Sequence, residues 1–258
     1  MKTERGSLDG VREYWNQYVI GIDISNKEIG SPAFFDEIEA YHQSKYNDES
    51  KLIDYRRYSG KKLLEIGCGW GSDLILFAAN GANVTGIDLS ESAIKLARMY
   101  FDYRQVPADL KVGNAEELQF ADDEFDVVVS LGVLHHTPNT QKAIDEVYRV
   151  LKPGGEAVIM LYHKYSWYNL LCKLSRTNFE HYKEDAPIVK LYSKEEVLRM
   201  LSRFTEVEIE ITRLPDKTIK RHGLLAACYN GILIPFCRAI PESIIKPFGF
   251  HINIRATK

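Results

Sequence analysis

An open, doubly wound α/β fold is the architecture this sequence predicts, and three observations predict it. Short apolar runs alternate with amphipathic segments from residue 62 to residue 162, the pattern of parallel strands joined by right-handed crossovers. A glycine turn, Gly67-Cys68-Gly69-Trp70-Gly71, directly follows the first apolar run, Leu63-Leu64-Glu65-Ile66. About 20 residues further on, the run Asn83-Val84-Thr85-Gly86-Ile87 ends in Asp88, a carboxylate placed at a strand end to hold both hydroxyls of a ribose.

At the N-terminus, Val11 to Ile20 is rich in aromatic residues and compatible with a helix. Ser31-Pro32 is a helix start, with Ser31 as N-cap and Pro32 in the first position. Phe34, Phe35, Ile38, Tyr41, His42 and Tyr46 then recur at helical spacing as one stripe. These segments, residues 1–50, either pack on the core or form a helical lid over a ligand site, closed by Tyr14, Trp15 and Tyr18. Residues 51–60 read as a charged helix leading to the core.

The alternation then runs strand 62–66, helix 72–80, strand 83–87, helix 90–103, strand 109–112, strand 125–131, helix 138–150 and strand 156–162. Leu63, Leu64 and Ile66 suit a strand buried on both faces. Gly67, Gly69 and Gly71 permit a tight turn and close approach of a ligand to the backbone. Ser72 or Asp73 is expected to cap the helix after it, whose free N–H groups would face that ligand. The spacing is GxGxG, not GxGxxG, and Glu65 stands just before the turn. A pyrophosphate prefers backbone N–H groups without a carboxylate beside them, so Glu65 suits a ligand bearing an ammonium or sulfonium and disfavours a nicotinamide dinucleotide. After the third strand, Asn114 in Val112-Gly113-Asn114-Ala115-Glu116 could meet an adenine edge. Pro153-Gly154-Gly155 is a turn signal before the fifth strand.

Beyond Tyr162 the pattern breaks. A long connection, about 163–192, contains His163, Tyr165, Trp167, Tyr168, Phe179, His181 and Tyr182. Long connections in compact domains are usually functional or disordered, and the aromatic content argues for a pocket wall. Ser193-Lys194-Glu195-Glu196 opens a helix by a capping box, and 204–211 and 250–256 read as strands. Between them a second insertion, about 213–248, holds the apolar stretch 223–237. That stretch is too short to span a bilayer and is broken by Asn230, Gly231 and Pro235. It reads as a buried helix, a pocket wall or homodimer face, or a peripheral membrane contact.

The 258 residues are 45% apolar and 27% charged with a net charge of −3, ordinary for a globular protein and without the basic excess expected of a nucleic-acid partner. Cys68, Cys172, Cys228 and Cys237 have no C-x-x-C spacing, which fits a reducing compartment. No apolar segment follows Met1 to Gly6, so no signal peptide is read and a cytoplasmic location is expected.

The linked motifs are those around Glu65 to Gly71, Asp88, Asn114, Phe125 to His136 and Leu151 to Glu156. In this order they resemble the motif series of class I S-adenosylmethionine-dependent methyltransferases, in the broad small-molecule and quinone-type group. The resemblance covers roughly residues 45 to 162. It implies a Rossmann-like seven-stranded sheet of order 3-2-1-4-5-7-6 with the last strand antiparallel, so residues 51–258 are expected to form the catalytic domain. It implies S-adenosylmethionine as cofactor and S-adenosylhomocysteine as product; no acidic cluster at the strand ends suggests a magnesium site, so no metal is expected. Gly67, Cys68 and Gly69 would cradle the methionine part, with Glu65 near its ammonium. Asp88 would bind the ribose, Leu89 and Ala115 would sandwich the adenine with Asn114 at its edge, and Ser130 and Leu131 would flank the cofactor. The acceptor is expected to be a small lipophilic or aromatic metabolite, methylated at oxygen in preference to nitrogen or carbon. His135 or His136, one facing the cleft and one away, is the candidate base. Tyr14, Trp15, Tyr18, Tyr41, His42, Tyr162, His163 and Tyr165 are candidates for the acceptor pocket. A non-catalytic cofactor-binding partner subunit and an aminopropyltransferase-like enzyme are the alternatives.

Overall fold

A computed structural model describes residues 6–50, 53–176, 178, 184–212 and 227–258, apart from the side chains of 45–50, 233, 238 and 242. Seven strands form one sheet: β1 (Lys62–Ile66), β2 (Asn83–Asp88), β3 (Asp109–Val112), β4 (Phe125–Leu131), β5 (Leu151–Tyr162), β6 (Thr205–Thr212) and β7 (His251–Thr257). Their order is β3-β2-β1-β4-β5-β7-β6. The pairs among β1 to β5 are parallel, and β7 runs antiparallel between β5 and β6. This is the predicted topology, including the insertion of the last strand beside the fifth.

Alternation along the strands splits the core between the two faces of the sheet. Leu64, Ile66, Val128 and Ile159 face one side, where α5 (Thr140–Val150) and α7 (Lys194–Met200) cover them with Ile144, Val147 and Val197. Leu63, Val127 and Val129 face the other, under α3 (Leu74–Ala79) and α4 (Glu91–Arg104). The N-terminal helices α1 (Leu8–Gln17) and α2 (Pro32–Ser50) belong to this second side. Ser31 Oγ accepts from Phe34 N–H at 3.2 Å, the expected cap. Phe34, Phe35 and Ile38 are buried, each contributing about 1.5–3 kcal/mol. Phe35 stacks on Tyr103 at 5.7 Å, while the Tyr103 hydroxyl donates to Asp36. The first half of α2 is thus core, and the helix reaches the cleft at Ile38, Tyr41 and His42. Tyr46 has its side chain outside the described part.

Several expectations are corrected. Residues 51–60 do not form a charged helix: Lys51 and Leu52 lie outside the described residues, and Tyr55–Tyr58 is a single 3-10 turn capped by Asp54. The Ser59-Gly60 turn follows at once, so there is no length for a helix. Pro153-Gly154-Gly155 lies within β5, not before it, where Lys152 to Gly155 bulge opposite Asp126 between the Phe125–Leu151 and Val127–Glu156 pairs. In the second insertion, residues 213–226 lie outside the described residues, Gly223 to Ala226 among them. The remainder forms a π-helical turn, Tyr229–Leu233, then α8 (Ile234–Ala239) and α9 (Glu242–Ile245). It is not a buried helix: Ile234 is buried, but Ile232 and Phe236 are 68% and 62% exposed.

Candidate functional site

The carboxyl ends of β1, β2 and β4 open into a cavity of about 480 Å³. Gly67, with φ +75°, carries the chain out of β1 against the Val133 side chain, which a Cβ at Gly67 would meet at 2.2 Å. The same test at Gly69, φ +56°, meets nothing within 4 Å. The turn is therefore closed by protein on one side and open to the cavity on the other. Gly67 and Cys68 N–H groups bond back to the Ile87 carbonyl at 2.7 and 3.0 Å, tying the turn to β2.

Asp88 completes that tie. Its Oδ2 accepts from Gly69 N–H at 2.9 Å and its Oδ1 from Ser90 N–H at 2.8 Å. Each carboxylate oxygen keeps a second acceptor site, so Asp88 can hold the turn and still receive two hydroxyls. Burial raises its pKa while the backbone donors at Ser90, Gly69 and Leu89 pull it down. Asn16 joins α1 to the same place, its Oδ1 accepting from Ser90 Oγ at 3.0 Å and from Ser92 N–H at 3.2 Å. The next loop is anchored by Gly113 N–H on the Asp88 carbonyl at 2.9 Å. Asn114 Oδ1 accepts from Glu116 N–H at 3.0 Å, which fixes the amide and leaves its two N–H donors and one Oδ1 lone pair for an adenine edge.

Glu65 is 3% exposed, lines the cavity, and its Oε2 has no hydrogen-bond partner. Burial pushes its pKa well above the ordinary carboxylate range, and nearby Asp73 and Asp88 push it further. Asp73 faces the same cavity. Its pKa is likewise raised by burial, opposed by His42 and by the Tyr55 hydroxyl. His42 Nε2 lies 3.6 Å from Asp73 Oδ2. Asp73 therefore does not cap α3 with its side chain as expected; the carboxylate is turned to the cleft. One buried carboxylate, Glu65, and two half-buried ones, Asp73 and Asp88, around one turn favour a cation. A ligand with a cationic end, a ribose and a purine fits the row Glu65, the glycine turn, Asp88, and Asn114 with Ala115.

Of the predicted cofactor residues, Glu65, Gly67, Cys68, Gly69, Asp88, Leu89, Asn114, Ala115 and Leu131 line the cavity. Ser130 does not: it is fully buried in β4 and donates its hydroxyl to the Ile66 carbonyl at 3.2 Å. Alternation forces this, since Leu131 takes the cavity side. Of the pocket candidates, Trp15, Tyr18, Tyr41, His42 and Tyr162 line the cavity. Tyr14 instead donates to the Glu184 carbonyl at 3.1 Å and holds α1 down. His163 is buried, with Nδ1 at 2.9 Å from the Gly249 carbonyl, and Tyr165 points to solvent.

The two adjacent histidines separate as expected. His136 lines the cavity, with the Trp15 ring 5.3 Å away. Its Nδ1 is 2.6 Å from the Ile188 carbonyl. A carbonyl only accepts, so Nδ1 carries the proton and Nε2 is the acceptor of the ring. His135 is withdrawn as a base: it is fully buried against Tyr162 at 3.9 Å, with neither ring nitrogen hydrogen-bonded. Burial, helped by His136 and His251, keeps its pKa well below the usual histidine value.

The first insertion is also corrected. None of its described residues lines the cavity; it acts from behind, through the Ile188 carbonyl on His136 and Lys190 N–H on the His135 carbonyl at 3.0 Å. Phe179, His181 and Tyr182 lie outside the described residues. Sequence reasoning missed the roles of Asp73 and Tyr55, Val133 under the turn, and Asn16. It also missed that the cavity continues over the polar face of β5, β7 and β6, past Met160, Asn253 and Arg255. Only the period-2 alternation of β7 could have signalled that face.

The family model for a methyltransferase domain matches residues 64–159. A ubiquinone biosynthesis O-methyltransferase of Pseudomonas aeruginosa UCBPP-PA14 is 40% identical over 108 residues, 39% of this chain and 44% of that one. The chain thus aligns with less than half the length of this relative. Among solved structures, a protein from Pyrococcus horikoshii OT3 superposes with a TM-score of 0.61 at 21% identity, covering 95% of this chain and 98% of that one. A SAM dependent methyltransferase from Archaeoglobus fulgidus gives 0.59 at 20% identity over 85% and 94%. At these identities the structures speak for the fold.

Proposed function

We propose that this chain is a class I S-adenosylmethionine-dependent methyltransferase, its residues 64–159 matching the family model for a methyltransferase domain, and that it methylates a small lipophilic or aromatic acceptor, at oxygen in preference to nitrogen or carbon. The single observation that carries the reading is Glu65: a buried carboxylate with an unpartnered oxygen, in the same cavity as Asp88 and the open side of Gly69. The relative's name, a ubiquinone biosynthesis O-methyltransferase, supports the acceptor class.

The cofactor supplies an electrophilic sulfonium methyl. Glu65, with Asp73 beside it, offers negative charge to the cationic methionine end. Asp88 receives the ribose hydroxyls and, through Gly69 N–H, couples ribose binding to the shape of the turn. Trp15, Tyr18, Tyr41 and Tyr162 supply apolar surface that excludes water and holds an aromatic ring; alignment of this kind supplies about 7–11 kcal/mol in favourable cases. His136 is the base for a hydroxyl acceptor. Its proton stays on Nδ1, held by Ile188, so Nε2 takes the hydroxyl proton.

The test is transfer of a labelled methyl to a panel of phenols, with His136→Gln beside the wild type. General-base loss lowers kcat about 10²–10⁴-fold, least for acceptors already ionised at the assay pH. Methyl transfer unaffected by His136→Gln would remove His136 from the chemistry. Failure of the wild type to bind S-adenosylmethionine at millimolar concentration would remove the function.

A further inference from the structure

The methionine end of the cofactor carries two charges, an ammonium and a carboxylate, and Glu65 answers one of them. It is buried, lines the cavity and has an unpartnered oxygen for the ammonium. A ligand carboxylate arriving beside it meets Glu65, Asp73 and Asp88. Like charges gathered around one turn repel unless a cation stands among them.

Among the described residues lining the cavity, the side chains able to carry positive charge are His42, His136, His251 and Arg255. His136 gives its proton-bearing Nδ1 to the Ile188 carbonyl. His251 and Arg255 stand on β7, three strands and about 14 Å from Glu65 on β1. There His251 stacks on Tyr162, and Arg255 Nε lies 3.3 Å from Glu156. None of the described residues of the first insertion, α6 (Trp167–Ser175) among them, lines the cavity. Of the four, His42 is the one placed at the acids of the turn. Its Nε2 is 3.6 Å from Asp73 Oδ2, and its ring meets Trp70 of the glycine turn edge-on at 6.0 Å. At 3.6 Å the contact is an ion pair, longer than a hydrogen bond. His42 pulls the Asp73 pKa down against the effect of burial, as a cationic ring does to a neighbouring carboxylate. Asp73 in turn raises the pKa of Glu65, so the three groups act on one another at one place.

Resting on the S-adenosylmethionine reading above, we propose that His42 is the specificity-determining residue for the amino-acid end of the cofactor. Glu65 takes the ammonium, His42 takes the carboxylate, and the site selects the complete zwitterion over a decarboxylated cofactor. His42 thus serves the cofactor rather than the acceptor, and it separates methyl transfer from aminopropyl transfer, which uses the decarboxylated form. Ile38 and Tyr41, on the same helix, line the same cavity, so a ligand that holds His42 also holds this wall of the acceptor pocket.

The experiment is calorimetric titration of the full chain with three adenosine thioethers. S-adenosylhomocysteine carries both charges. S-adenosyl-3-thiopropylamine keeps the ammonium and lacks the carboxylate, and 5′-methylthioadenosine lacks both. The wild type binds S-adenosylhomocysteine about tenfold or more tighter than the thiopropylamine. His42→Phe keeps a ring against Trp70 and removes the cation. It weakens S-adenosylhomocysteine by about tenfold or more and leaves the other two within about twofold. His42→Lys restores a cation and with it the preference. Wild-type affinities for S-adenosylhomocysteine and the thiopropylamine that agree within about twofold overturn the proposal and leave the cofactor reading standing. So does equal weakening of all three ligands by His42→Phe, which marks a structural role. If the wild type binds none of the three, the cofactor reading falls and the proposal falls with it.

Discussion

Replacing Glu65 by Gln changes one atom's charge and little else in shape, and its effects on folding and on ligand binding have opposite signs. In the ligand-free protein the Glu65 carboxyl is buried with Oε2 unpartnered and its pKa raised. A carboxyl whose pKa rises on folding holds its proton more tightly in the native state. Its contribution to stability therefore declines as pH climbs from the ordinary value, about 4.3, through the raised one. Glu65→Gln removes that ionisation, so the variant melts above the wild type at pH 8, at about 2–4 °C per kcal/mol, and the difference shrinks toward pH 5. Cofactor binding moves the other way. A net hydrogen bond to a charged group is worth about 1.5–3 kcal/mol, which is roughly ten- to hundredfold in Kd. Calorimetric titration with S-adenosylmethionine, S-adenosylhomocysteine and 5′-methylthioadenosine separates the causes. The first two carry the ammonium and weaken by this amount; the third lacks it and keeps its affinity. Wild-type affinity for the first two rises with pH as Glu65 ionises, and the variant loses that slope. A lower melting temperature at pH 8, or equal weakening of all three ligands, refutes the assignment of Glu65 to the cationic end.

Asp88→Ala deletes both acceptors proposed for the ribose and both backbone ties. Two lost charge-assisted bonds, about 3 kcal/mol together at the low end, weaken all three ligands by about a hundredfold in the same titration, 5′-methylthioadenosine included. On the acid side, His135 must take up a proton in the unfolded chain that it refuses when buried. Stability therefore falls below about pH 6.5, by up to about 1.4 kcal/mol per pH unit, and His135→Phe, measured by denaturant unfolding at pH 5 and pH 7, flattens that fall.

The parts of the site that were legible in the sequence are those made by consecutive residues. Glu65, the glycines and Asp88 sit at the ends of strands whose apolar runs are unmistakable, and a strand end plus a turn leaves few choices of placement. The adjacent pair His135-His136 could be divided in principle, one in and one out, but not in identity. That choice rests on Ile188, which holds the ring of His136 from 52 residues away. Ser130 was misplaced by one step of strand alternation. Tyr14, His163 and Tyr165 were misplaced because aromatic content reports a tendency to bury, not a direction.

By itself the sequence determined the alternating α/β order, the turn, the carboxylate at the end of β2 and the acid before the turn. Each follows from local periodicity, glycine stereochemistry and chain-neighbour geometry. The tertiary structure alone decided that Asp73 leaves its helix to join Glu65 with His42 and Tyr55, that Asn16 fastens α1 to the start of α4, and that the first insertion supports the histidines from behind. Those contacts join residues far apart in the chain, and their geometry is set by how helices pack on the sheet, which no short stretch of sequence encodes.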